Sequence, residues 1–221
     1  MGDLRRLIVF DLDGTLVDSR RDLADAANAL IIERGGTPLP EEAIGRMVGD
    51  GAAMLVRRAL SAAGLAPGDT SLPRFLELYD TRLLRTTRAY PGIPEALQAI
   101  RPYGVLAVLT NKPRAHTQKL LHALDLAPLF ATVIGGDGPF PRKPDPQSLQ
   151  HLVTEHHVSP RHTVLVGDSP IDAATARAAG TVFCLARYGF GAQATPLEAD
   201  AAVDSPGALP VAIAKLLTQV G

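Results

Sequence analysis

From Tyr90 onward the chain alternates two kinds of segment. Short, almost wholly apolar runs lie at 105–109, 132–134, 163–166 and 182–185, with a shorter one near 201–203. Stretches of helical period separate or flank them, at about 93–102, 113–124, 146–157, 169–179 and 206–219. Strands that are apolar throughout are buried on both faces, and strands spaced by helices run parallel. The run Leu7-Ile8-Val9-Phe10 supplies one more such strand near the N-terminus. The fold class is therefore α/β, a Rossmann-like parallel sheet with helices on both faces.

Residues 19–88 break this rhythm. Leu23, Ala26, Ala27, Leu30 and Ile31 recur at helical spacing until Gly35-Gly36. Helical patterns follow at 41–48, 51–63 and 70–87, the last with Leu72, Phe75, Leu76, Tyr79 and Leu83 on one face. Nothing in this block reads as a strand. A strand-to-strand crossover takes on the order of a dozen residues. The block is far longer, so an inserted all-helical domain at 19–88 is expected, with the core made of 1–18 and 89–221.

Composition narrows the function. The 46% hydrophobic and 20% charged content is that of a folded globular protein. A net charge of −1 argues against general nucleic-acid binding. The N-terminal apolar run is too short for a signal peptide or a membrane span, so a cytoplasmic protein with no membrane partner is expected. The single cysteine, Cys184, lies in an apolar run and reads as a small buried hydrophobe. The six histidines show no metal-ligand spacing.

Polar residues collect at the carboxyl ends of the expected strands, where open parallel sheets bind ligands. Asp11, Asp13 and Gly14 follow the first. Thr110 and Asn111 follow 105–109. Lys143, in Arg142-Lys143-Pro144-Asp145-Pro146, follows the third. Asp168 and Ser169 follow 163–166, with Asp172 one turn on. Each has two readings. Asp11 and Asp13 are either a turn that ends a strand or a pair of carboxylates around a hard cation. Thr110 and Asn111 either cap a helix or hold a phosphate at its N-terminus. Lys143 is a surface lysine or a phosphate counter-charge. Asp168, Ser169 and Asp172 form a helix cap or add a carboxylate to the metal.

The four segments in this order, DLDGTLVDS at 11–19, Thr110-Asn111, RKPDP around Lys143 and GDSPID at 167–172, resemble the haloacid dehalogenase superfamily of phosphotransferases. The resemblance covers essentially the whole chain, and the helical block looks like that superfamily's C1-type cap. MVGDGAAMLVRRAL at 47–60, AYPGIPEAL at 89–97, LTNKP at 109–113 and YGFG at 188–191 look most like its phosphoglycolate phosphatase branch. The run Pro139-Phe140-Pro141 before Arg142 departs from the pattern and bears on the pose of Lys143.

The resemblance implies a magnesium-dependent phosphatase acting on a small phosphorylated metabolite, with 2-phosphoglycolate as first choice, through an aspartyl-phosphate. Asp11 would be the nucleophile, and Asp13 the general acid and base. Thr110, Asn111 and Lys143 would bind the phosphoryl group. Asp11, the Asp13 carbonyl and Asp168 would hold Mg2+, supported by Gly14, Ser169 and Asp172. The Gly49-Asp50-Gly51 loop would approach the substrate, and Arg46, Arg57 or Arg58 would clamp a carboxylate. A sugar-phosphate phosphatase, a pyrophosphatase and a β-phosphoglucomutase fit the same motifs. A Schiff-base hydrolase with a cap lysine does not, because residues 19–88 contain no lysine. Outside enzymes, a non-catalytic phosphate-responsive module is the alternative. The sequence leaves the oligomeric state open.

Overall fold

A computed structural model describes residues 5–191 and 197–219. Strand β1 (Leu7–Phe10) is fully buried, and its side chains alternate between two apolar clusters. Ile8 and Phe10 pack on one face of the sheet, Leu7 and Val9 on the other. Covered on both sides, the strand has no solvent-facing row, which is why its sequence is continuously apolar.

A short ribbon strand, β2 (Val17–Asp18), leads into four helices: α1 (Arg20–Glu33), α2 (Glu41–Gly45), α3 (Ala52–Ala62) and α4 (Ser71–Asp80). The chain returns through β3 (Arg88–Ala89), which pairs antiparallel with β2, Val17 opposite Ala89. This ribbon differs from the sequence reading, which placed no strand near 88. Two residues per strand carry no usable periodicity. Helix α4 also ends at Asp80, short of the expected 87. Thr86 and Thr87 instead turn their backbone N–H and hydroxyl groups onto the buried carboxylate of Asp22, at 2.7 to 3.1 Å. Asp22 in α1 thereby ties the end of the helical block to its start.

The remainder follows the expected rhythm: α5 (Ile93–Ile100), β4 (Val105–Leu109), α6 (Arg114–Ala123), β5 (Thr132–Ile134), α7 (Gln147–Glu155), β6 (Thr163–Gly167), α8 (Pro170–Ala179), β7 (Val182–Ala186), β8 (Ala201–Val203) and α9 (Leu209–Thr218). The six-stranded sheet has the order β5-β4-β1-β6-β7-β8, and every pairing in it is parallel. The chain winds outward from β1 through β4 to β5, then crosses back to β6 on the other side of β1. The strand order reverses there, and the crevice beyond the carboxyl ends of β4, β1 and β6 is the place where such sheets bind ligands. One apolar cluster runs without a break from Phe10 and Val108 in the sheet to Leu23, Leu55, Phe75 and Tyr79 in the helices, so the helical block lies over that crevice. Cys184 is fully buried, as expected, and burial pushes its thiol up to about 12. Among the described residues no helix is long and apolar enough to cross a membrane.

Candidate active site

Asp11 leaves the end of β1 into the crevice, 8% exposed. Its Oδ1 lies 2.9 Å from Lys143 Nζ, which also lies 2.6 Å from Asp172 Oδ1. The proline-rich approach therefore delivers Lys143 inward, 4% exposed. Asn111 fixes the lysine's backbone: its Oδ1 accepts from the Lys143 N–H and its Nδ2 donates to the Lys143 carbonyl, both at 2.9 Å. Nδ2 also donates to the Gly49 carbonyl at 2.9 Å. This corrects the expectation that the Asn111 side chain is open to phosphate. All of its hydrogen-bonding groups already brace two loops. Thr110, 3% exposed, keeps its hydroxyl at the crevice, where it accepts from the Lys112 N–H.

Asp168 stands at the end of β6, 2% exposed. Its Oδ2 accepts from the Gly191 N–H at 2.8 Å, and Thr15 Oγ1 lies 3.4 Å from Oδ1. The Tyr188 hydroxyl donates to the Thr15 carbonyl at 3.0 Å, so the YGFG segment braces this corner. Gly14, at φ +90°, is required twice over: its backbone is left-handed, and a Cβ there would collide with the Asp168 carboxylate. Ser169 caps α8 in a capping box with Asp172. Asp172 is fully buried rather than a solvated first-turn acid, and it joins the cap to Lys143.

The electrostatics leave room for a cation. Carboxylate oxygens of Asp11, Asp168 and Asp172 lie within 4.8 Å of one another, with the single ammonium of Lys143 among them. Burial, with Asp172 and Asp13 beside it, outweighs Lys143 and pushes the Asp11 carboxyl up to about 6. Burial, then Asp11 and Asp172, also raise Asp168 well above the ordinary carboxylate range. Three carboxylates against one ammonium leave a deficit of positive charge in a dry crevice, and a hard divalent cation fits that donor set. Asp13 is not part of this cluster through its side chain. Its carboxylate turns away to Lys112 Nζ, at 2.9 and 3.1 Å, and accepts from Ser19 Oγ at 2.5 Å.

Beside Asp11 and Asp13 opens a small cavity of about 40 Å³. Its helical side is apolar: Leu23, Val48, Ala52, Leu55, Phe75 and Leu76, with Tyr79. Gly49 and Gly51 form part of its rim. Gly51 caps the start of α3 at φ +88°, where a side chain would be strained, and a Cβ on it would sit 3.1 Å from the Asn111 carbonyl, so glycine suits this close approach of rim and core. The expected arginine clamp is not present. Arg46 and Arg57 are exposed and line no part of the cavity. Arg58 is held by Asp50 at 2.5 Å and by the Met47 carbonyl at 3.2 Å, which takes both Arg58 and Asp50 away from the site. The cation lining the cavity is Lys112, a residue to which the sequence reading gave no role. Its signal was position: it follows Thr110-Asn111 at the end of β4.

A family model described as haloacid dehalogenase-like hydrolase matches residues 5–180. A protein of Cupriavidus necator named phosphoglycolate phosphatase is 40% identical over 209 residues, covering 92% of this chain and 90% of that one. A protein of the same name from Nitrosospira multiformis is 41% identical, covering 90% of this chain and 92% of its own. Among solved structures, that of a predicted phosphoglycolate phosphatase from Haemophilus somnus superposes with a TM-score of 0.86 at 29% identity, over 95% of this chain and 98% of the other.

Proposed function

This chain belongs to the haloacid dehalogenase-like hydrolase family and is a phosphoric monoester hydrolase, and on that premise we propose that it hydrolyses 2-phosphoglycolate to glycolate and phosphate through a phosphorylated Asp11. The observation that carries the reading is the division of labour between Asp11 and Asp13. Asp11 belongs to the carboxylate cluster with Lys143, whereas Asp13 faces Lys112 at the cavity. One carboxylate can attack phosphorus while the other serves the leaving oxygen.

Asp11 Oδ attacks the phosphorus in line with the ester oxygen. The P–O ester bond breaks, and Asp13 gives the departing oxygen its proton. Water then attacks the phosphorus of the phospho-Asp11 and gives a proton to Asp13; the bond from phosphorus to Asp11 Oδ breaks, which frees phosphate and restores the Asp11 carboxylate and the Asp13 acid. Lys143 and Thr110 hold the phosphoryl oxygens. Asp172 orients Lys143, and Asn111 fixes the backbone that carries it. Asp11, Asp168 and the Asp13 carbonyl would hold Mg2+, with Asp172 beside them, and the charge that builds up on the phosphoryl oxygens would be neutralised there. Residues 19–88 act as a cap that keeps bulk water from the phospho-aspartate.

The test is phosphate release from 2-phosphoglycolate with magnesium, run beside a panel of sugar phosphates and pyrophosphate. Preference for 2-phosphoglycolate supports the reading. Preference for a hexose phosphate replaces it with a sugar-phosphate phosphatase or mutase. No release from any ester leaves the phosphate-responsive module.

A further inference from the structure

Lys112 and Tyr79 meet on the cavity wall beyond Asp13. Lys112 Nζ is 4.6 Å from the centre of the Tyr79 ring, and both residues are buried, at 6% and 2% exposure. Lys112 carries the only full positive charge among the described residues that line the cavity. Its ammonium has three donors, and it donates to both oxygens of the Asp13 carboxylate, at 2.9 and 3.1 Å. The Tyr79 hydroxyl is buried beside the Lys112 ammonium, which can only donate to it, and no acceptor takes the hydroxyl proton. A buried donor without a partner is costly, and the surrounding wall is apolar. Such a pair of donors in a dry pocket suits a small anion.

We propose that Lys112 and Tyr79 form the subsite for a carboxylate on the leaving group, so that the enzyme selects phosphomonoesters of short hydroxy acids through a core lysine and a helical tyrosine. This rests on the phosphatase reading given above and deepens it. The ester oxygen must lie against Asp13, which protonates it. Lys112 touches Asp13 on the cavity side. A carboxylate one methylene from the ester oxygen is therefore carried towards the Lys112 ammonium.

The test compares kcat/KM for 2-phosphoglycolate with kcat/KM for 2-hydroxyethyl phosphate, which keeps the ester and lacks the carboxylate. The ratio is taken within each protein, so a general loss of activity cancels. Lys112→Met should lower the ratio by about 10- to 150-fold, the worth of a charge-assisted hydrogen bond. Tyr79→Phe, which removes one hydroxyl and leaves the packing intact, should lower it by about 3- to 10-fold. Lys112→Arg should recover part of the loss. Arg46→Ala should leave the ratio within about threefold of wild type. If Lys112→Met does not fold, Tyr79→Phe alone decides. A ratio within threefold of wild type in both variants overturns the subsite while the phosphatase stands. A wild-type ratio near one does the same. A wild-type protein that hydrolyses neither ester overturns the 2-phosphoglycolate reading and the subsite with it.

Discussion

Lys143 Nζ sits 2.9 Å from Asp11 Oδ1 in a crevice that excludes solvent from both side chains. The two come from opposite parts of the chain, one directly after β1 and the other from the loop before α7. The pairing leaves Asp11 with an ammonium at its side and the carboxylates of Asp168 and Asp172 close by. Asp11→Asn should therefore lower kcat by about 10³-fold or more while the far-ultraviolet circular dichroism stays that of wild type. Turnover above about a tenth of wild type, with deamidation excluded by mass spectrometry, would remove Asp11 as nucleophile.

Asp13 is proposed for the other role, that of acid and base. Asp13→Asn should lose about 10²- to 10⁴-fold in kcat, with KM little changed, because the leaving oxygen departs without a proton. An ester whose leaving group needs no proton, such as p-nitrophenyl phosphate, should lose less in its first step. Equal losses in kcat/KM, which reports transfer to Asp11 and not the hydrolysis of phospho-Asp11 common to both esters, would remove Asp13 as the acid.

Activity should vanish in EDTA and return with magnesium but not with calcium, whose longer and more numerous bonds suit this site poorly. Binding should also depend on pH. A cation needs the ionised carboxylates, and Asp11, pushed up to about 6, takes a proton as the pH falls through that value. The rise in Tm caused by magnesium should therefore be larger at pH 8 than at pH 5. An increase towards low pH would contradict the assignment of Asp11 as ligand.

Asp22 offers a test away from the chemistry. Its burial works against the charge, but the donors on Thr86 and Thr87 outweigh it and hold the pKa below the ordinary 3.8. A carboxyl depressed in the fold contributes stability above its unfolded pKa and loses it as the pH falls through the folded value. Asp22→Asn should cost about 1.5–3 kcal/mol at pH 7, the worth of hydrogen bonds to a charged group. The difference should shrink below about pH 4. Urea unfolding at pH 7 and at pH 3 measures both. An equal cost at the two values would mean that the charge contributes nothing.

The strands, the helices between them and the four polar segments were legible in the sequence because each is written locally. Burial on both faces forces continuous apolar runs such as Leu7–Phe10, and a hard-cation site forces acids to the strand ends. Those rules also put Asp11, Thr110, Lys143 and Asp168 at one rim before any coordinates. What stayed hidden depends on distance in space. The ribbon of Val17–Asp18 with Arg88–Ala89 is too short to leave a period, and its partners are separated by the whole helical block. The cation beside the cavity was sought on the helices, where Arg46, Arg57 and Arg58 lie close in sequence to Gly49-Asp50-Gly51. Folding turns Arg58 onto Asp50, leaves Arg46 and Arg57 exposed, and brings Lys112 from the end of β4 against Tyr79 of α4. A side chain's residue type and spacing fix which chemistry it can do. Which partner satisfies its charge is settled by packing between segments remote in sequence, and that is written only in the tertiary structure.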